Sequence, residues 1–259
     1  MRYMGGKGRI AKKLSETILA HTPERSGIYW EPFIGGGAMA ARMGNQFEVA
    51  KYSDIHPDLI LMWQALHDGW EPPAIVTYEE YQELRYAIEP SALRGFVGFG
   101  GSFGGRWFEG YARGGNNANG TPRNHQAESA RAVLKDIQGI RANTCTSFIQ
   151  GDALTIEPGP GDVVYCDPPY SGTKNYSKTD RLDHGEFWNA ATRWAEAGAY
   201  VFVSEYSAPD GWECIWEQPL RSSVRVGSAD RHIATERLFT HQATVQDGGH
   251  SYATKQEQA

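Results

Sequence analysis

The sequence Val163-Val164-Tyr165-Cys166-Asp167-Pro168-Pro169-Tyr170 joins an apolar run of strand length to an acid and two prolines. Proline fixes φ and carries no N–H, so the chain leaves the strand here and its prolines present only carbonyl oxygens. In open α/β sheets, ligands bind outside the carboxyl ends of the parallel strands. The stretch therefore predicts a buried strand that delivers the Asp167 carboxylate and the Tyr170 ring to a binding site. The alternative is a simple strand exit that Asp167 caps.

The residues before this stretch alternate between helix and strand patterns. Helix patterns cover residues 8–21, 38–43 and 57–67, and strand patterns cover residues 28–30 and 48–53. Three consecutive glycines lie between the first strand and the helix that follows it, and an acid ends the second strand. A strand, a glycine turn, a helix, a second strand and an acid, in this order, are typical of the start of a doubly wound α/β domain.

The same alternation returns in the second half of the chain, with helices predicted at 127–141 and 184–197 and strands at 147–149, 162–166, 199–204 and 212–217. We therefore predict the α/β class, with a doubly wound, Rossmann-like sheet. Its domain comprises residues 1–68 and 143–245, an inserted subdomain covers residues 69–142, and residues 246–259 form a flexible tail.

Glycine and aromatic residues dominate the middle of the chain. Ten of the 32 residues at 94–125 are glycine, and six aromatic residues are interleaved with them. Because glycine loses the most backbone entropy on folding, this segment is predicted to hold no long regular element. Arginine can pair with guanine or grip phosphates, and aromatic rings can wedge between bases. We expect a nucleic-acid reader here, with these candidate residues: Arg94, Arg106, Trp107, Arg113 and Arg123. The alternative is a surface loop whose charges have no partner.

Charge is segregated along the chain. The net charge of the 259 residues is −6, yet residues 94–141 carry seven basic and three acidic side chains. That segment is therefore +4 and the remainder is −10, which favours nucleic-acid binding through one face. We expect no membrane span, no secretory signal and a reducing cytosol, the last because the three cysteines form neither a disulfide framework nor a zinc motif. No metal is expected.

The turn Glu31-Pro32-Phe33-Ile34-Gly35-Gly36-Gly37 is not a dinucleotide fingerprint, and the sequence contains no phosphate loop. Glycines let a ligand approach the backbone closely, and Asp54 stands where an acid binds ribose hydroxyls. The pattern favours a nucleoside-bearing cofactor without a pyrophosphate. A packing turn is the alternative.

These motifs, in this order, resemble the Dam-type DNA adenine-N6 methyltransferases over most of the chain. Tyr3-Met4-Gly5-Gly6-Lys7 is similar to the family's amino-terminal cofactor motif, and the segment Asp167 to Tyr170 is similar to its catalytic tetrad. Val201-Phe202-Val203-Ser204 and Glu236-Arg237-Leu238-Phe239 stand in the places of its later strand motifs. Residues 100–113 resemble the family's target-recognition stretch only loosely, which leaves the recognised sequence open.

The resemblance implies a methyltransferase sheet, S-adenosylmethionine as cofactor, S-adenosylhomocysteine as product and double-stranded DNA as partner. It implies a cofactor site made of Tyr3, Lys7, Phe33, Gly35, Asp54, Asp152 and Asp167. It also implies that Asp167, Pro168 and Tyr170 hold the target adenine. Asp152 has an alternative as a turn residue that caps the segment after it.

The tetrad also indicates a reaction from its chemistry alone. A carboxylate and a proline carbonyl can accept both N–H groups of an exocyclic amine, which favours its pyramidal, nucleophilic form. A base inside a duplex cannot reach such a pocket, so base flipping is expected, with Tyr170 stacked on the base. Cytosine N4, adenine in RNA and a catalytically silent DNA-binding protein remain alternatives. We expect a monomer or weak dimer in a bacterial or virus-infected bacterial cytoplasm, and the biological role stays open.

Overall fold

The computed structural model describes residues 1–23, 25–143, 145–170, 182–221 and 233–243. The predicted tail at 246–259 lies outside these residues. Within them, seven strands form one sheet: β1 (Ile28–Glu31), β2 (Val49–Asp54), β3 (Cys145–Gln150), β4 (Val163–Cys166), β5 (Tyr200–Glu205), β6 (Trp212–Arg221) and β7 (Ile233–His241). Their order is β3-β2-β1-β4-β5-β7-β6. Strands β1 to β5 run parallel, and β7 runs antiparallel to both of its neighbours.

Helices cover both faces of this sheet. They are α1 (Ala11–Ala20), α2 (Ala40–Met43), α3 (Pro57–His67), α4 (Tyr78–Tyr86), α5 (Ala92–Gly100), α6 (His125–Arg141) and α7 (His184–Glu196). Successive residues of β4 point to opposite faces, so Val163 and Tyr165 enter the core under α1, α3 and α6, while Val164 and Cys166 enter the core under α7. The doubly wound α/β fold predicted from the sequence is confirmed. None of the helices in the described ranges has both the length and the apolarity to cross a bilayer.

The glycine-rich segment is more regular than the sequence analysis predicted. Helix α5 contains three glycines, and its amino terminus is capped by Ser91, whose side chain accepts from the Arg94 N–H. A Cβ on Gly95 would lie 2.2 Å from the Asp58 carbonyl oxygen, and one on Gly98 would lie 2.2 Å from the Trp107 ring. The expectation of no long regular element was wrong for the stretch up to Gly100, where Gly95 allows close packing of α5 on α3 and Gly98 allows close packing of the Trp107 ring on α5. Residues 101–124 contain no α-helix or strand, as predicted.

The predicted insertion at 69–142 shares its core with the sheet domain. Phe96 and Val133 from this segment lie in the same buried cluster as Leu59 and Trp63 from α3. Helix α6 also leads the chain back to β3, so it belongs to the layer that covers the sheet. The assignment of residues 69–142 to target recognition remains a prediction.

The chain reverses its winding direction between β1 and β4. From β1 it proceeds outward through β2 to β3, and from β4 it proceeds the other way to β5, although β1 and β4 are neighbours. Such a switch point opens a crevice at the carboxyl ends of the two central strands, where open α/β sheets bind ligands. Glu31 ends β1, and Asp167 follows β4 directly.

Candidate active site

Asp167 lies in this crevice and is paired with a lysine from the start of the chain. Lys7 Nζ donates to Asp167 Oδ1 at 2.6 Å and to the Gly5 carbonyl oxygen at 3.2 Å. The Lys7 side chain is only 6% exposed, which shields the pair from water. Burial raises the pKa of Asp167, whereas the charge and the hydrogen bond of Lys7 lower it. Lys7 therefore favours the ionised carboxylate in a place that disfavours charge.

The Tyr170 side chain makes contacts through both its hydroxyl group and its ring. Its hydroxyl donates to Glu236 Oε2 at 2.6 Å, and Lys7 Nζ lies 4.7 Å from the centre of its ring. The Tyr206 ring packs against it edge-on, with centroids 4.6 Å apart. Burial first, and then the charges of Asp167 and Glu236, raise the pKa of Tyr170 well above its usual value, so the phenol stays neutral. Pro168, between Asp167 and Tyr170 in the tetrad, is buried.

The glycine turn after β1 is held from two sides. Gly35 and Gly37 have φ of +43° and +71°, a region that favours glycine. A Cβ on Gly37 would lie 2.5 Å from the Trp63 ring, and a Cβ on Gly35 would lie 2.9 Å from the Tyr3 ring. Tyr3 therefore packs on the turn, which joins the first predicted cofactor motif to the second. Phe33 packs edge-on against Phe187 of α7, with centroids 5.8 Å apart.

Asp54 organises the turn from the end of β2. Its carboxylate accepts from the Gly35 N–H at 3.2 Å and from the His56 N–H at 3.1 Å. A carboxylate has about four acceptor sites, so it can bind backbone donors and the hydroxyl groups of a ligand together. Asp152 follows β3 and is exposed, and its carboxylate accepts from the Leu154 N–H at 2.9 Å. The structure thus gives Asp152 the capping contact that was its alternative role; its place in the cofactor site remains a prediction.

Glu31 is a further carboxyl group that the sequence analysis did not assign to the site. It is 2% exposed, and its Oε2 accepts from the Tyr29 hydroxyl at 2.8 Å. Burial raises the pKa of Glu31 well above its usual value, and the charge of Asp167 raises it further. The available signal was its position, because Glu31 ends a predicted strand just as Asp54 does.

The acidic side chains of the site fit a nucleoside ligand that carries a positive charge and no pyrophosphate. Acidic residues from three strand ends, Glu31, Asp54 and Asp167, lie at this edge of the sheet, and burial favours the neutral form of Glu31. Lys7 is already engaged by Asp167, and the turn that Asp54 holds contains no basic side chain. Carboxylates repel phosphate but attract a sulfonium or ammonium group, and they accept hydrogen bonds from ribose hydroxyls. Among the described residues, no cluster of three His, Cys, Asp or Glu side chains could hold a metal ion.

Arg94 was predicted to bind DNA, but it lies inside the protein. Its Nη1 is 2.7 Å from Asp58 Oδ2, and its Nε donates to the Leu84 carbonyl oxygen at 3.0 Å. The Arg94 side chain is 15% exposed and the Asp58 side chain 2% exposed. This arginine joins α3, α4 and α5, and its guanidinium lies 5.0 Å from the centre of the Trp107 ring, so the structure gives it a packing role beside one other candidate.

Trp107 and Arg106 lie next to the amino-terminal motif. The Trp107 ring is half-buried and packs on His56 and Phe99, with centroids 4.1 Å and 4.9 Å apart. Arg106 Nε contacts the Met4 sulfur at 3.0 Å, and its Nη1 pairs with Glu109 at 3.1 Å. The Arg106 side chain is partly exposed, so it can still turn toward a ligand, whereas Trp107 is largely committed to packing.

Arg113 and Arg123 line a groove of about 440 Å³ together with Arg2, Phe103 and His125. Arg2 and Arg123 both pair with Glu128, and Arg2 also donates to His125 Nδ1 at 2.8 Å. Phe103 is 73% exposed in this groove, so its ring is accessible to a ligand. The sequence analysis assigned no role to Arg2 or Phe103. The signal for Phe103 was its place among the glycines of the predicted reader.

Comparisons with known proteins agree with the resemblance seen in the sequence. The family model for D12 class N6 adenine-specific DNA methyltransferases matches residues 3–90, which include Tyr3, Lys7, the glycine turn and Asp54. The DNA N-6-adenine-methyltransferase of Escherichia phage P1 is 25% identical over 237 residues, which cover 81% of this chain and 30% of that protein. The type II methyltransferase M.CviBI of Paramecium bursaria Chlorella virus NC1A is 33% identical over 69 residues, 27% of this chain and 25% of that protein.

The alignments with these curated relatives thus span less than a third of the length of each relative. Among solved structures, the rRNA methyltransferase aviRa from Streptomyces viridochromogenes aligns over 96% of this chain and 90% of its own, with 14% identity and a TM-score of 0.44. The resemblance to DNA adenine-N6 methyltransferases is confirmed by the family model and the two relatives.

Proposed function

We propose that this chain, which resembles the D12 class DNA adenine-N6 methyltransferases, transfers a methyl group from S-adenosylmethionine to N6 of adenine in double-stranded DNA. The observation that carries the proposal is the Lys7–Asp167 pair, which joins the amino-terminal motif to the tetrad at the switch point of the sheet. The family model covers the first member of that pair, and the alignment with the phage enzyme extends over 81% of the chain.

Asp167 and Pro168 act on the amine in this account. The Asp167 carboxylate and the Pro168 carbonyl accept the two N–H groups of N6, which directs the nitrogen lone pair outward. The new bond joins N6 to the methyl carbon, the carbon–sulfur bond breaks with its electron pair on sulfur, and the positively charged N6 then releases its surplus proton to water. Burial raises the pKa of Asp167, and the charge and hydrogen bond of Lys7 oppose that effect, which favours the carboxylate that accepts from N6. Tyr170 stacks on the base, and its neutral phenol adds no charge to the pocket.

The cofactor site proposed here comprises Tyr3, Lys7, Phe33, Gly35, Asp54, Asp152 and Asp167. Bound S-adenosylmethionine supplies a methyl group that its sulfonium charge has already activated. Asp54 holds the ribose hydroxyls, and Gly35 lets the ligand approach the backbone at the turn. Accurate alignment of the amine with the methyl group then accounts for much of the rate.

We place the DNA on the groove of Arg2, Arg113 and Arg123, with Arg106 beside it. Arginine side chains neutralise backbone phosphates, and the exposed ring of Phe103 can occupy the space that a flipped base leaves in the duplex. The target adenine must leave the stack to reach Asp167, so base flipping is part of the proposal. The named relatives come from viruses, which supports action inside an infected cell.

Nucleoside mass spectrometry tests the proposal. Unmethylated plasmid DNA and, in parallel, RNA are incubated with the protein and S-adenosylmethionine, and the digested nucleosides are quantified. N6-methyladenine in DNA is the expected product. N4-methylcytosine, or a product in RNA alone, would change the acceptor but keep the chemistry. Cofactor and DNA binding without any methylated nucleoside would replace the enzyme with a silent DNA-binding protein.

A further inference from the structure

Glu236 reaches the tetrad because β7 runs antiparallel to β5, in the direction opposite to the parallel strands at the centre of the sheet. A parallel strand delivers its last residues to the carboxyl edge of the sheet, whereas antiparallel β7 delivers its first ones. Arg237 pairs with Glu205 at the very end of β5, so Glu236 lies just beyond the last pair. Side chains alternate along a strand, and Leu238 points into the core that contains α1 and Tyr165. Glu236 therefore lies on the face from which Lys7 enters the site.

Glu236 contacts Tyr170 of the tetrad and Lys7 beside it. Its Oε2 accepts from the Tyr170 hydroxyl at 2.6 Å, and the same oxygen lies 3.8 Å from Lys7 Nζ. The Glu236 side chain is 16% exposed, so water competes little for either contact. The Tyr170 pair is the shorter and the better defined of the two, and Lys7 makes its own direct bond to Asp167 at 2.6 Å.

The prolines of the tetrad fix its backbone, but they do not fix the Tyr170 side chain. That side chain has two rotatable bonds, and a ring that stacks on a base must hold one plane. Lys7 and Tyr206 confine the ring along its length. The hydrogen bond at the hydroxyl fixes the far end and prevents the ring from swinging about χ1.

We propose that Glu236 is a positioning residue, which holds the Tyr170 ring in the plane that stacks on the target base. This inference rests on the proposed function, because the base is the ligand that the ring would meet. Glu236 touches no reacting atom in this account and acts through Tyr170. In the sequence, Glu236 belongs to a strand motif for which no role was predicted.

Single-turnover methyl transfer in four variants tests the proposal: Glu236→Gln, Glu236→Met, Tyr170→Phe and the double variant Tyr170→Phe/Glu236→Met. The amide oxygen of glutamine still accepts from the phenol, so Glu236→Gln should stay within about threefold of the wild-type rate. Glu236→Met and Tyr170→Phe each break the bond and should lose about tenfold. The double variant should be no slower than Tyr170→Phe, because both changes remove one interaction. The dissociation constant for S-adenosylmethionine should stay unchanged in all four.

Glu217→Met is the matched control. Glu217 lies on β6, is 60% exposed and pairs only with surface Arg237 among the ion pairs of the described residues, so the rate should not change. A multiplicative loss in the double variant would overturn the proposal, as would a wild-type rate for Tyr170→Phe. Equal losses in Glu236→Gln and Glu236→Met would show that Glu236 acts by its charge on Lys7, and would overturn it as well. A wild-type protein that methylates no nucleic acid would instead overturn the proposed function.

Discussion

Lys7 Nζ lies 2.6 Å from Asp167 Oδ1, although 160 residues separate the two in the chain. The lysine stands just before α1, and the aspartate follows β4, the strand next to β1 at the centre of the sheet. This pair makes the amino-terminal motif and the tetrad parts of one site. The pair also affects the pKa of Asp167, because burial raises this pKa and Lys7 lowers it.

Removal of Lys7 should therefore move the acid limit of activity to higher pH. In Lys7→Met, the pKa of Asp167 rises, because burial and the charges of Glu236 and Glu205 then act without a nearby cation. More of the carboxyl group is protonated at neutral pH, so the rate there should fall by about tenfold or more and recover as the pH increases. The measurement is the pH profile of single-turnover methyl transfer. Lys13→Met, on the exposed face of α1, is the charge-matched control, and an unshifted profile for Lys7→Met would contradict the account.

Asp54 should govern cofactor affinity and leave DNA affinity unchanged. The Asp54→Ala change removes the acceptor for the Gly35 N–H and, in our proposal, for the ribose hydroxyls. Hydrogen bonds to a charged group contribute about 1.5–3 kcal/mol each, so the dissociation constant for S-adenosylmethionine should rise by roughly 10- to 100-fold. Titration calorimetry measures it. Asp210→Ala, an exposed acid, should behave as wild type, and equal cofactor affinities for both variants would refute this assignment.

Arg113 and Arg123 should contribute phosphate contacts, and Arg94 should not. Arg113→Ala and Arg123→Ala should each reduce the steepness of the fall of log binding constant with log salt concentration by about one. Arg193→Ala, on the exposed face of α7, should leave the slope unchanged.

Arg94→Ala should instead lower the free energy of unfolding by about 3–5 kcal/mol, because it leaves Asp58 buried and unpaired. Salt titrations of DNA binding measure the first effect, and urea denaturation measures the second. A wild-type salt slope for Arg113→Ala and Arg123→Ala would exclude these two arginines from the DNA surface.

Gly95 should be intolerant of alanine although it lies within a helix. Alanine is favoured over glycine by about 1 kcal/mol in a helix interior. Here its Cβ would lie 2.2 Å from the carbonyl oxygen of Asp58, so α5 would have to move away from α3. Overpacking of this kind costs about 1–3 kcal/mol or more, and the clash should outweigh the helical preference. Thermal unfolding measures the difference against Gly159→Ala, where nothing lies within 4 Å.

Local patterns predicted much of this fold. The apolar run 163–166, the period of 57–67 and the glycine turn each report on a short stretch of backbone, and the structure has β4, α3 and the turn in those places. Contacts between distant segments were beyond the reach of such patterns. The Lys7–Asp167 and Tyr170–Glu236 bonds depend on strand order and on the direction of β7.

Two predictions were misled by residue type. The glycine content of 94–125 indicates backbone freedom in a sequence. In the structure, however, the missing side chains allow close packing, with α3 at Gly95 and with the Trp107 ring at Gly98. Arg94 belongs by sequence to a basic segment, yet it is drawn inside by Asp58, which lies 36 residues earlier. An arginine in a basic run and an arginine in a buried ion pair have the same local pattern, so the burial of the partner decides between them.

The most direct test of the account is the amount of N6-methyladenine that folded Asp167→Ala protein forms on DNA in a single turnover. Circular dichroism verifies that the variant keeps its fold, and S-adenosylmethionine is supplied well above the dissociation constant measured for the variant, because Asp167 also belongs to the proposed cofactor site. The account predicts N6-methyladenine with the wild-type protein and a loss of at least about a hundredfold in rate with the variant, since Asp167 is the charged acceptor at the reacting nitrogen. A folded, cofactor-binding Asp167→Ala protein that methylates adenine at the wild-type rate would contradict it.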